Sequence, residues 1–131
     1  MIEKQVKEFM TVSGQNISNT PHVPHEKLKK FRESLLQEEL NEAIESDNLV
    51  DLADALGDMC VVLEGYFLTS GLHIYKDRIL KEIHRSNMSK FCNNMSEVTD
   101  SINLLQLKFP NHNFYYKLVG DKYVIYRKFD N

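Results

Sequence analysis

Apolar residues recur at helical steps along most of the chain, and polar punctuation divides them into segments. Residues 2–10, IEKQVKEFM, set Ile2, Val6, Phe9 and Met10 on one face and predict a short amphipathic helix. The stretch TVSGQNISNTPHVPHEK follows, and its Gly, Asn, Ser and Pro residues make it an extended connector. It is either a plain surface loop or a Pro-braced strap that wraps one end of a bundle and helps to line a pocket. From Glu26 to Glu45, Leu28, Phe31, Leu35, Leu36, Leu40 and Ile44 recur at three- and four-residue steps and predict a strong helix. A polar turn, Ser46-Asp47-Asn48, leads into a helix from Leu49 to Thr69. That second long helix is apolar nearly all round apart from its aspartates and Glu64, a pattern normally found in buried helices. Gly57 costs it roughly 1 kcal/mol and implies the close approach of another helix. Ser70-Gly71 supplies the stop.

A further helix is predicted over Ile74–Met88, and another over residues 96–108 with Ser96 as its N-cap. PNHNF then breaks the pattern. Two β-rich runs flank Gly120-Asp121 and predict a hairpin. Tyr115, Tyr116, Tyr123 and Tyr126 are read first as cross-strand pairs, and second as a lid over a ligand. The expected fold is all-α, an antiparallel helix bundle with a small C-terminal β-hairpin. The chain is expected to be a single domain over residues 1–131, with a helical core to residue 92 and the last helix and hairpin over 93–131.

Chemistry enters where the apolar stripe is interrupted. At about 100° per residue, Leu28, Phe31 and Leu35 fall within about 60° of one another, and Glu38 and Glu42 fall on the same arc with Glu39 beside it. On the next helix Asp51, Asp54 and Asp58 share one narrow face. Six carboxylates on facing sides of one hairpin repel each other and are costly to desolvate, so a divalent cation is the expected compensation. Mg²⁺ or Mn²⁺ prefers such oxygen ligands, binds phosphate oxygens and activates water for attack at phosphorus. The run His84-Arg85-Ser86-Asn87-Met88-Ser89-Lys90 is dense in donors that suit phosphate, although a basic helix end also complements the helix dipole. The combination points to metal-assisted hydrolysis of a phosphoanhydride. There is no P-loop or dinucleotide glycine fingerprint, and the five histidines are scattered rather than set at zinc spacing.

Bulk composition narrows the class a little further. A net charge of -3 argues against a general nucleic-acid binder. No apolar run is long enough for a membrane span, and the N-terminus lacks an apolar signal region, so a cytoplasmic protein is expected. Cys60, on a helix expected to be buried, is read as a structural free thiol.

Glu38-Glu39-x-x-Glu42 followed by Asp54-Ala-Leu-Gly-Asp58 resembles the all-α nucleoside triphosphate pyrophosphohydrolase superfamily, which includes MazG proteins, all-α dUTPases and phosphoribosyl-ATP pyrophosphohydrolase. Glu8-Phe9-Met10, Gly14-Gln15 and especially the run from His84 to Lys90 resemble its phosphoribosyl-ATP-pyrophosphohydrolase-like subgroup. The resemblance covers roughly residues 2–92. It implies Glu39 and Glu42 as metal ligands, with Glu38 as a further ligand or water-positioning base. It implies Asp58 as the final ligand of the second motif. Ala55 stands where that motif has Glu, so Asp54 is the candidate replacement and Asp51 a reserve ligand, which leaves one or two metals per site open. Asn87 and Lys90, with Arg85 less directly, would contact the triphosphate. The implied activity is Mg²⁺-dependent cleavage of an NTP or dNTP to the monophosphate and pyrophosphate, by a homodimer or larger homo-oligomer. Two other readings stand beside it: a bundle that binds metal or nucleotide without turnover, and an interaction protein whose acids are only an exposed face.

Overall fold

The computed structural model describes residues 1–129. Five helices dominate: α1 (Ile2–Val12), α2 (Glu26–Glu45), α3 (Leu49–Ser70), α4 (Lys76–Met88) and α5 (Met95–Lys108). A 3₁₀ turn, Leu72–Tyr75, precedes α4, and β1 (Asn113–Val119) pairs antiparallel with β2 (Lys122–Lys128). The all-α class with a terminal hairpin is thus the observed architecture. The chain divides into two compact units, Met1–Arg78 and Ile79–Asn131, with the division inside α4.

In the first unit α2 and α3 form a helical hairpin, and α1 packs against α3. The side chain of Asn48 starts α3 by accepting the N–H of Asp51 at 2.9 Å, and the ring of His25 does the same for Leu28 at the start of α2. The apolar centre is Val6 and Met10 of α1 against Leu68 of α3, with Ile2 and Ile17 packed on it. Each such side chain contributes roughly 1.5–3 kcal/mol on burial. The connector between α1 and α2 closes the end of α3. It supplies donors that the last helical turn lacks: Ser18 N–H to the Leu68 carbonyl at 3.0 Å, and His22 N–H to that of Ser70 at 2.9 Å. Gly71 ends α3 with φ 74°, and a Cβ there would lie 2.2 Å from the Thr20 carbonyl oxygen. The connector is therefore a strap at this end, and none of its residues lines the clefts described below.

Two expectations about α3 need correction. Gly57 faces open space, and the close approach lies two turns on, at Gly65, where a Cβ would meet Arg32 Nη1 at 2.7 Å. The helix is also not buried all round. Leu49, Val50, Leu52, Leu56, Val61 and Leu63 are exposed, and so is Cys60, while the buried free thiol is Cys92. The cause is coverage: α2 takes one side of α3 and α1 only its C-terminal half, so the rest of its apolar circumference has no helix packed on it within the first unit.

In the second unit α5 packs on the hairpin. Its N-cap is Asn94, not Ser96: Asn94 Oδ1 accepts the Glu97 N–H at 2.9 Å, and the Glu97 carboxylate accepts the Asn93 N–H at 2.7 Å. Tyr115 stacks on Tyr126 directly across the strands, and Tyr116 meets Tyr123 edge-on along the diagonal. The tyrosines thus form the cross-strand pairs expected of them.

Candidate active site

The antiparallel α2/α3 hairpin brings together Glu39, Glu42 and Asp58. One carboxylate oxygen from each lies within 4.8 Å of the other two. Glu39 and Glu42 are one turn apart on α2, and Asp58 comes from the facing turn of α3. None of the three is fully buried, but Glu39 Oε2 is shut off from solvent and has no hydrogen-bond partner. Burial, first, and then the negative charges of Glu42 and Asp58 hold the Glu39 carboxyl above its usual range, and Glu38 adds a smaller repulsion. Among the described residues, the ion pairs engage Glu3, Glu26, Glu33, Glu64 and Glu82, so no lysine or arginine neutralises any of the three. An orphaned carboxylate oxygen among like charges with no protein cation fits a divalent metal. Mg²⁺ and Mn²⁺ are hard cations held by a few carboxylates plus water and phosphate oxygens.

The other acids are arranged differently. Glu38 is exposed at the rim and stands outside the trio. Asp51 and Asp54 line an open cleft of about 240 Å³ with Glu42, Glu45 and Ser46, nearer the hairpin turn. Asp51 accepts from Asn48 Nδ2 at 2.7 Å while its own N–H is capped by Asn48 Oδ1, so it serves the start of α3. Glu42 is common to the trio and the cleft. The expectation that several of these carboxylates continue the buried apolar stripe is corrected here: Glu39 is half-buried, and Glu38 and Glu42 are exposed. The α2/α3 seam is open at this end, and only part of Glu39 is desolvated.

Arg85, Asn87 and Lys90 lie in the second unit. Arg85 pairs with Glu82, which raises its affinity for its proton, and Lys90 Nζ donates to Asn87 Oδ1 at 3.1 Å. Lys90 and Arg85 line a cleft within that unit, together with Lys122 of β2.

Reasoning from the sequence missed Arg32. It is 4% exposed, donates from Nη2 to Gln15 Oε1 at 2.8 Å, and leaves its Nε without a partner. Desolvation holds its guanidinium below the usual arginine value. Arg32 and Glu39 are seven residues apart on α2, as Gly65 and Asp58 are on α3. The buried cation and the carboxylate trio therefore occupy one seam, about 10 Å apart along the helix axes.

An all-α fold whose helical hairpin presents uncompensated acids from both arms fits the all-α nucleotide pyrophosphohydrolase class, and a family match shows that class. Residues 6–87 match the phosphoribosyl-ATP pyrophosphohydrolase family, and the chain belongs to it. That family is one of pyrophosphohydrolases, hydrolases of phosphoanhydride bonds. No curated protein matched the chain.

Proposed function

We propose that the protein is a metal-dependent nucleotide pyrophosphohydrolase that cleaves an NTP or dNTP to the monophosphate and pyrophosphate. The observation that carries this reading is the carboxylate trio of Glu39, Glu42 and Asp58, with its orphaned oxygen and no protein counter-charge. These three residues would hold Mg²⁺ or Mn²⁺, with Asp54 and Asp51 available for a second ion beside Glu42. When bound, the metal supplies charge neutralisation at the phosphate oxygens and a water of lowered pKa. Glu38, exposed and next to Glu39 in the chain, would orient the attacking water and take its proton. The water oxygen bonds to phosphorus, an anhydride bond breaks, and pyrophosphate leaves with its electron pair. Asn87, Lys90 and Arg85 are the proposed contacts to the triphosphate.

The row of exposed apolar residues on α3 supports a homodimer or larger assembly, because a patch of this extent rarely stays open to water. Light scattering that gives a monomer mass at micromolar concentration would refute the assembly.

The deciding measurement is pyrophosphate release from a panel of NTPs and dNTPs, with phosphoribosyl-ATP included because the family carries its name, in Mg²⁺ and in Mn²⁺. Wild type is expected to turn over at least one of them, and Glu42→Ala and Asp58→Ala are expected to be inactive. Activity that survives both substitutions sinks the site. A metal-dependent rise in Tm with no pyrophosphate from any substrate favours the non-catalytic binding module.

A further inference from the structure

Two charged side chains are buried among the described residues, and the fold treats them differently. Glu64 is met by Lys76 at 2.6 Å. Arg32 has no carboxylate within ion-pair distance among the described residues. Its guanidinium donates to a neutral acceptor, Gln15 Oε1, and Nε is sealed from solvent with nothing to donate to. A buried cation paired this incompletely is costly, and an acceptor on a ligand would complete it. Its place is nevertheless fixed. Gln15 is itself held, by its N–H to the Met10 carbonyl at 2.8 Å and by Nε2 to Ser13 Oγ at 3.2 Å. On the far side Gly65 makes room for the guanidinium, since a Cβ there would lie 2.7 Å from Nη1.

Arg32 and the carboxylate trio share the α2/α3 seam, about 10 Å apart along the helix axes. What lies between them is apolar: Leu35 and Leu36 on α2, Val61 and Val62 on α3. None of these four is buried. A polyphosphate gains nothing from such a strip, because its oxygens would lose water there. A sugar and a base do gain from it. The exposed ring of Phe31, its centroid 5.6 Å from Arg32 Cζ, adds an aromatic surface beside the guanidinium. With the phosphates at the metal end, the part of a nucleotide that reaches Arg32 is the base. A guanidinium only donates hydrogen bonds. It suits a base that turns a carbonyl oxygen towards it, as guanine does with O6 beside N7. It opposes adenine, whose N6 amino group is a donor in the same place.

We propose that Arg32 is a substrate-binding residue that donates to a base carbonyl, and that the enzyme prefers guanine and hypoxanthine nucleotides to adenine nucleotides. The proposal rests on the pyrophosphohydrolase reading above and adds the base to it.

The test is kcat/KM for pyrophosphate release from GTP, ITP and ATP in Mg²⁺. ITP carries O6 where ATP carries the N6 amine, and the ring is otherwise the same apart from the N1 proton. Wild type is expected to favour GTP and ITP over ATP by about tenfold or more. In Arg32→Gln the amide oxygen can accept from N6, so the ratio is expected to fall to about one or to reverse. Arg32→Lys, still only a donor, is expected to keep its direction. Lys29→Ala removes an exposed charge of α2 that pairs with Glu33, and is expected to leave the ratio unchanged. If Arg32→Gln fails to fold, Gly65→Ala takes its place: the added methyl pushes Nη1 aside and is expected to reduce the ITP preference while ATP turnover changes far less. A wild type that turns over ATP or phosphoribosyl-ATP as well as ITP overturns the proposal and leaves the function standing. A preference that survives both Arg32→Gln and Gly65→Ala overturns the role of Arg32. If no nucleotide is turned over, calorimetric titration with ITP and ATP in Mg²⁺ decides. Tighter ITP binding that is lost in Arg32→Gln keeps the base subsite and removes the function, and equal binding or none removes both.

Discussion

The two ends of α3 carry charge on opposite terms. At its C-terminal end Glu64 is buried, and Lys76 reaches it at 2.6 Å, with Glu3 a further 3.7 Å contact of the same lysine. The chain neutralises itself there, and the strap over Leu68, Ser70 and Gly71 satisfies the helix end as well. Toward its N-terminal half Asp58 converges with Glu39 and Glu42 of α2 with no cation paired to them among the described residues, and one oxygen is left orphaned. A fold that supplies a lysine for one buried carboxylate and none for three crowded ones separates scaffold from site. The first arrangement is complete without a ligand, and the second is complete only with one. Substitutions at the two ends should therefore have opposite signatures: loss of stability at one, loss of activity without loss of stability at the other.

The largest effect is expected at Gly71. Any side chain there meets both a left-handed φ and the backbone of Thr20, which cannot shift without releasing the strap. Gly71→Val should cost about 4 kcal/mol or more in urea unfolding, at the upper end for single substitutions. Next comes Lys76→Met, which leaves Glu64 buried and unpaired and should cost roughly 3 kcal/mol. Fully folded Lys76→Met protein should keep its pyrophosphate release. If its activity falls in parallel with the carboxylate variants, the two ends are not independent. At the open end, Asp58→Asn should lower activity by about 10²-fold or more, which corresponds to roughly 2.7 kcal/mol of transition-state stabilisation. In EDTA its Tm should equal or exceed that of wild type, because a repulsion has been removed. Saturating Mg²⁺ should raise the wild-type Tm by mass action and leave the variant where it was. A destabilised, metal-free Asp58→Asn would mean that Asp58 is scaffold after all.

How far this contrast was legible in the sequence depended on whether a property is local. The long helices, the Gly71 stop and the Gly120-Asp121 hairpin follow from periodicity and turn chemistry, and they stand where they were expected. The angular reading set Glu38, Glu39 and Glu42 of α2 against Asp51, Asp54 and Asp58 of α3, and of these six the fold brings Glu39, Glu42 and Asp58 together, so periodicity gave the facing helices but not which three converge. Coverage was not legible. The apolar circumference of α3 reads as burial, but which neighbours exist to bury it is a property of the whole fold, so Cys60 and Gly57 were placed in contacts that this chain does not make. Asp51 shows the same limit at short range. It shares the face of Asp54 and Asp58, yet its position three residues after Asn48 draws it into a cap. The cleft shared by Lys90 and Lys122 was hidden for a third reason: the pairing of Cys92 with Tyr123 joins residues 31 positions apart and leaves no periodic trace.

The smallest effect is also the sharpest probe of the open end, because it concerns a single proton. Burial and the neighbouring carboxylates raise the Glu39 carboxyl above its unfolded value, so the native protein holds this proton more tightly than the unfolded chain does. The sign follows from that. As pH rises from the unfolded carboxyl range to the raised native value, the wild type loses stability at this group, and above that window the loss is constant. Glu39→Gln has no proton to lose. In EDTA the variant should therefore match wild type at the acid end of the window and become the more stable of the two as pH rises, as read by urea unfolding from pH 4 to pH 8. Saturating Mg²⁺ should reverse the order at neutral pH, because a cation stabilises the ionised Glu39 that the amide lacks, and the reversal should fade on acidification as protons compete for the same oxygen. A difference that is flat with pH in EDTA would mean that Glu39 is as well solvated as Glu38. The two ends of α3 would then differ in exposure alone, and the orphaned oxygen would no longer mark a place for a metal.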